Sequence, residues 1–181
     1  MHPSEAITGT TSDLLKGRTI VLGITGSIAA VESFDLARDL MRHGARVVPV
    51  LTPEAQRLVT PCSLAFATGQ EPIVELDGRA QHVSLLGDVQ GRADLLLIAP
   101  ATANTICKIA CGIDDTPVTT MASVALGSGV PIVIAPAMHG AMFNNPMVAE
   151  GIERLRSAGV GFVGPRMEGR KAKIADREET V

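Results

Sequence analysis

The sequence contains no tryptophan, no tyrosine and only four phenylalanines among 181 residues. Ring stacking therefore cannot be the main way this chain holds a flat ligand; aliphatic side chains, methionine and backbone must do it. Long apolar runs are also missing. Nothing approaches the ~18 uncharged residues that a membrane-spanning helix requires, although apolar residues make up 46% of the chain and mean hydropathy is +0.27. Buried parallel strands and a subunit interface account better for that surplus, so a homo-oligomer is expected and a membrane is not. A basic patch is absent: the net charge is −3 with lysines and arginines scattered, which excludes the footprint of a nucleic-acid binder. Cysteines number only three, Cys62, Cys107 and Cys111. Together with a polar, mixed stretch over residues 1–16, they point to a reducing, cytoplasmic setting. Cys107 and Cys111 stand four apart, close enough on a helix face for a metal or redox pair; two small buried hydrophobes is the simpler reading, and no metal is expected.

What is present alternates between two periods. Thr19–Ile24 is a β-branched apolar run that reads as a buried strand. Residues 28–43 carry Ile28, Val31, Leu36 and Leu40 at helical spacing, with Gly44 as a stop. Arg46–Leu51 is the second strand, and Pro49 inside it predicts an edge position or an irregularity. Short helices are expected over residues 53–59 and 61–67, the latter capped by Thr60 with Pro61 at its first position. Residues 69–92 are the least regular, a strand fragment and a loop. A central strand over 93–98 follows, then helices over 101–111 and 116–126, a strand over 131–135, a helix over 146–158 and a last strand over 160–163. From Gly164 a charged tail has no period. This order predicts right-handed crossovers and a parallel sheet of five or six strands, covered on both faces, in one domain over residues 17–181 behind a tail of residues 1–16.

In such sheets ligands sit outside the carboxyl ends of the strands. There the chain offers Thr25-Gly26-Ser27, Thr52, Pro100 to Asn104, Pro136 to His139, and Gly164-Pro165, a set rich in hydroxyls and nearly free of charge. Gly23-Ile24-Thr25-Gly26-Ser27 turns from strand to helix, which aims backbone N–H groups at an anion. The same pattern also occurs as a plain tight turn. No complete G-x-G-x-x-G is present, and Thr52 stands where a ribose-binding carboxylate would be. Neither a P-loop nor a G-x-S-x-G elbow occurs. A monophosphate held by neutral hydroxyls and backbone remains, which suits flavin mononucleotide (FMN).

Three segments carry a resemblance. They are Gly23 to Ala30; Ala99-Pro100-Ala101-Thr102-Ala103-Asn104-Thr105 with Lys108 and Gly112 to Asp115; and Pro136-Ala137-Met138-His139-Gly140-Ala141-Met142-Phe143. The chain resembles the phosphopantothenoylcysteine decarboxylase family of flavin-containing cysteine decarboxylases. Within it, the decarboxylase half of archaeal-type bifunctional coenzyme A biosynthesis proteins is the nearest likeness. The resemblance implies a flavodoxin-like, Rossmann-like three-layer α/β fold, a trimer-based oligomer, and FMN contacts at Gly26, Ser27, Ile28, Thr52, Thr102, Ala103 and Asn104. It implies His82 as the catalytic base, with Asn104 and His139 also acting on the substrate, and Met138, His139, Met142 and Lys173 in the substrate site. The implied reaction converts 4'-phospho-N-pantothenoylcysteine to 4'-phosphopantetheine. Flavin oxidises the cysteine moiety to a thioaldehyde, carbon dioxide leaves, and the resulting enethiolate is reduced. A phosphopantothenate–cysteine ligase domain or protein is the implied partner.

Two positions depart from the pattern. His139 stands where the family has an asparagine, and the stretch after Gly164-Pro165 lacks the family's proton-donating cysteine, reading Arg166-Met167-Glu168-Gly169-Arg170-Lys171-Ala172-Lys173. Without that cysteine the last protonation has no assigned residue. Two other functions fit the same motifs: an electron-transfer or reductase flavoprotein, and a flavin-binding regulatory protein without catalysis. His82 and Asn104 favour the enzyme.

Overall fold

In a computed structural model of the chain, residues 2–164, 166–168 and 171–173 are described, the last two segments by backbone alone. Five strands form one all-parallel sheet: β1 (Thr19–Ile24), β2 (Arg46–Leu51), β3 (Leu95–Ala101), β4 (Ile132–Pro136) and β5 (Gly161–Phe162), in the order β2-β1-β3-β4-β5. That order is the flavodoxin-like one, with its switch point between β1 and β3. Helices α1 (Ser33–Arg42), α2 (Pro61–Thr68), α3 (Gln81–Leu86), α4 (Ala103–Ala110), α5 (Pro117–Ser128), α6 (Gly140–Phe143) and α7 (Pro146–Ser157) complete the three layers.

Alternation along the strands divides the core in two. Ile20, Leu22 and Ile24 of β1 pack with Val47 and Leu51 against Ala37 and Met41 of α1 and Leu64 of α2. Val21 faces the other way, with Val50, Leu96, Ile98 and Ile134, into side chains of α3, α4, α5 and α7. Both sheet faces are thus covered, which is why these strands read as nearly unbroken apolar runs.

Pro49 sits on the edge strand, as its lack of an N–H predicts. The N–H groups of Arg46 and Thr52 point inward, to Arg18 O and Ile24 O, whereas that of Leu51 points outward to Ile73 O. Pro49, two residues before Leu51, therefore turns its missing donor outward, and its carbonyl accepts from Ile73 N at 2.9 Å.

Helix boundaries follow their caps. Thr60 accepts from Ser63 N to open α2; Thr116 and Thr119 form a reciprocal capping box at α5; Asn145 caps α7. Gly69 and Gly129, at φ 67° and 72°, close α2 and α5 in the left-handed conformation. Where no cap exists the α-helix starts late. Ser27 makes no side-chain cap bond, and Ile28–Glu32 tightens into a 3-10 turn, so α1 begins at Ser33 rather than Ile28.

Four further differences from the sequence reading stand out. β3 runs on to Ala101 through a register shift between Ile98 and Ala101; Pro100 breaks the ladder there, the usual place for proline in a central strand. Helix α3 occupies part of the stretch expected to be irregular, and α6 a stretch to which the sequence reading assigns no element. After Gly164, Arg166–Glu168 (β6) pairs antiparallel with Lys171–Lys173 (β7). The amino-terminal residues lie along the end of α1: Gly9 N donates to Met41 O, Leu15 N donates to His43 O, and Ser4 is buried.

Candidate functional site

The carboxyl edge of the sheet carries most of the candidate residues on loops that β1, β2, β3 and β4 place side by side. Thr25, fully buried, follows β1 directly. Its hydroxyl donates to Pro100 O at 2.8 Å and accepts from Thr102 N at 3.0 Å, and its own N–H donates to Pro100 O at 3.2 Å. The loop holding Gly26, Ser27 and Ile28 is thereby joined to the loop holding Thr102, Ala103 and Asn104. Ala137 N donates to Ala101 O at 2.9 Å, which brings the β4 loop with Met138 and His139 alongside.

Each loop presents hydrogen-bonding groups. Thr102 caps α4 by accepting from Thr105 N, and the two threonine hydroxyls lie 3.1 Å apart. The first N–H groups of a helix have no intrahelical acceptor, so those of Ala103 and Asn104 face the edge. Ser27 is half-buried with no cap bond from its hydroxyl, and Asn104 is exposed. A Cβ on Gly26 would fall 2.5 Å from Glu54 Cβ. Glycine is therefore required where this loop crosses the β2 loop, a reason within the chain beside any approach of a ligand.

Thr52 is buried, donates its N–H to Ile24 O and accepts from Ala55 N through its hydroxyl at 3.2 Å. The hydroxyl thus holds the turn leading into a 3-10 helix over Ala55–Arg57, whose N-cap is Glu54, in place of the helix expected over residues 53–59, and its proton is left for another acceptor. Met138 packs into the core, whereas Met142 is exposed on α6. His139 is exposed and caps α6, its Nδ1 accepting from Ala141 N at 3.2 Å. The side chain of Lys173 lies outside the described residues.

His82 belongs to the first turn of α3, not to a loop. Leu85 O accepts from Ala93 N, and Leu86 O accepts from the Ser128 hydroxyl at the end of α5. The buried Nδ1 of His82 has no partner among the described residues, and no hydrogen bond links it to the other candidates. An unmet buried nitrogen costs on the order of 1–3 kcal/mol, a cost that a hydrogen-bonding partner would relieve.

Beside this edge a cleft of about 540 Å³ runs between Pro53 and Gln56 after β2, Val74 to Leu76, and Asp114 to Pro117 before α5. It does not include Ser27, Thr102, His82 or His139; Ser27, Thr102 and His139 stand on the neighbouring loops at the carboxyl edge, an open shelf, whereas His82 stands on α3. The cysteines do not join them. Cys107 is half-buried, and burial, helped by nearby Cys111, raises its thiol pKa. Cys62 and Cys111 are exposed, against the expectation that Cys107 and Cys111 are both buried. No group of three or more metal-ligating side chains occurs among the described residues.

Comparison with known proteins extends the picture. A family model described as Flavoprotein matches residues 8–181. The "Coenzyme A biosynthesis bifunctional protein CoaBC" of Thermococcus kodakarensis is 51% identical over 181 residues, which cover 100% of this chain and 45% of that protein. The chain therefore spans less than half the length of that relative. Among solved structures, the FMN-dependent cysteine decarboxylase SpaF aligns with a TM-score of 0.76 and 33% identity, over 90% of this chain and 91% of its own. A PPC decarboxylase variant complexed with pantothenoylaminoethenethiol aligns with a TM-score of 0.68 and 25% identity, over 89% of this chain and 92% of its own.

Proposed function

The chain belongs to the flavoprotein family, and from that premise we propose that it binds FMN and decarboxylates 4'-phospho-N-pantothenoylcysteine in coenzyme A biosynthesis. The observation that carries this reading is the pair of loops joined through Thr25 at the β1/β3 switch point. They bring neutral hydroxyls and helix-start N–H groups onto neighbouring loops, a donor set suited to a phosphate monoester. The FMN-dependent activity of SpaF and the names of CoaBC and PPC decarboxylase support the choice of cofactor and substrate.

In this reading the backbone of Gly26 and Ile28 and the hydroxyls of Ser27 and Thr102 hold the phosphate, while Thr52, Ala103 and Asn104 border the rest of the cofactor. Bound flavin supplies hydride acceptance and return, chemistry that no side chain offers. His82 takes the proton released as the substrate is oxidised, and its unpartnered Nδ1 is the group a substrate or a second copy would meet. His139 binds the substrate carboxylate with the ring nitrogen its cap leaves free, and Asn104 adds a neutral amide. Met142 forms an apolar wall, with Met138 behind it. Closure of the open shelf falls to a second copy in a trimer-based oligomer. A phosphopantothenate–cysteine ligase, as domain or separate protein, is the partner in the same reading, in the cytoplasm.

The test is direct. Purified protein loaded with FMN and given phosphopantothenoylcysteine should release carbon dioxide, with the thiol product identified by mass. The His82→Asn variant should keep FMN and lose roughly two to four powers of ten in rate, the usual contribution of a positioned acid or base. A parent that binds FMN but leaves the thiol untouched moves the electron-transfer reading ahead.

A further inference from the structure

We propose that Thr25 is a positioning residue for the cofactor, fixing the loop after β1 against the loop after β3 before FMN arrives. The inference rests on the FMN reading above and adds a residue that it leaves without a role.

A hydroxyl offers one donor and two acceptor sites. Here the donor goes to Pro100 O at 2.8 Å and an acceptor site receives Thr102 N at 3.0 Å, in a side chain with no exposed surface. The partners lie 75 and 77 residues away in sequence. No other hydrogen bond among the described residues joins these two loops except the Thr25 N–H, which shares Pro100 O. Pro100 has no N–H of its own, so its carbonyl is the one backbone hydrogen-bonding group it can offer β1.

Thr102 links the two loops to α4. Its N–H is held by Thr25 while its hydroxyl caps α4. Moving Thr102 would move the first turn of α4, and with it the N–H groups of Ala103 and Asn104. A positioned set of donors binds an anion without first having to be ordered, which is where preorganisation adds affinity. Removing the Thr25 hydroxyl leaves Thr102 N without this partner and Pro100 O with the Thr25 N–H alone, so the first turn of α4 is no longer tied to the loop after β1.

The experiment compares the parent with Thr25→Val, which keeps shape but no hydroxyl, and Thr25→Ser, which keeps the hydroxyl. FMN affinity is measured on apoprotein, thermal unfolding of the apoproteins separately, and the visible band of bound flavin is recorded. Thr25→Val should weaken FMN at least tenfold and shift the band, with Thr25→Ser within about threefold of the parent; tenfold corresponds to about 1.4 kcal/mol. Equal FMN affinity in parent and Thr25→Val overturns the inference alone, whereas a parent that takes up no FMN overturns the functional reading and this role with it. If Thr25→Val does not fold, amide exchange in the parent decides. The Thr102 N–H should already be protected in apoprotein, and fast exchange there that slows only with FMN would show that the cofactor, not Thr25, orders the loop.

Discussion

His139 spends one ring nitrogen on its own backbone, which restricts what the other can do. Because Nδ1 accepts from Ala141 N, the neutral ring carries its proton on Nε2, a tautomer inferred from that bond. The side chain therefore presents a donor outward, the polarity a substrate carboxylate needs. Asparagine could do both jobs, its carbonyl oxygen capping α6 and its amide donating. His139→Asn is expected to keep stability and FMN binding and to change substrate KM by less than about tenfold, a margin of about 1.4 kcal/mol. His139→Ala loses the cap as well, at a cost of about 1 kcal/mol, and for a chain of this size its melting temperature should fall by roughly 2–4 °C. Paired unfolding and KM measurements check this; an alanine variant matching the parent in both would remove His139 from the site.

At the opposite edge, Asp94 ties the starts of β1 and β3. Its carboxylate accepts from Thr19 N at 2.8 Å and from Arg18 Nη1 at 2.7 Å, and its own N–H donates to Thr19 O. The Thr19 N–H, and then the Arg18 guanidinium, hold its pKa below the usual carboxylate value. A carboxylate lowered in the folded state stabilises fully above its unfolded pKa, about 3.9, and that contribution disappears as pH falls through the lower folded value. The carboxylate is 35% exposed, so solvent limits the effect to about 1 kcal/mol or less. Asp94→Asn should melt lower than the parent near pH 7, and the gap should narrow as pH falls below about 4; a gap independent of pH would assign the loss to packing. Elements such as β1 and β2 were legible in the sequence because their apolar, β-branched runs are bounded by turn residues. Helix α3 was not, since Ala80 before it supplies no capping side chain and sits at φ 49°, and six residues are too few to show a period. The loops that form the shelf could be read from the strand ends, but not the role of Thr25. One threonine closing an apolar strand gives no sign that its partners lie 75 and more residues away.

For the molecule as a whole, the surface retains apolar side chains that one chain does not cover, among them Ile28 at 75% and Met147 at 65% exposure. A homotrimer of the 18.8 kDa chain is expected to sediment as the main species. An FMN-saturated species of one chain's mass would refute that. How copies meet is constrained by the outer strands. On β2, Pro49 offers no outward donor and Ile73 already bonds Pro49 and Leu51, while β5, at the other side, is only two residues long. Backbone ladders that could recruit a neighbouring strand are thus short or occupied, and the sheet resists growth into open-ended fibres. Contacts between copies fall to helices and loops, where side-chain shape sets the angle of approach. Subunit number should therefore yield to a few surface substitutions while every strand stays in register.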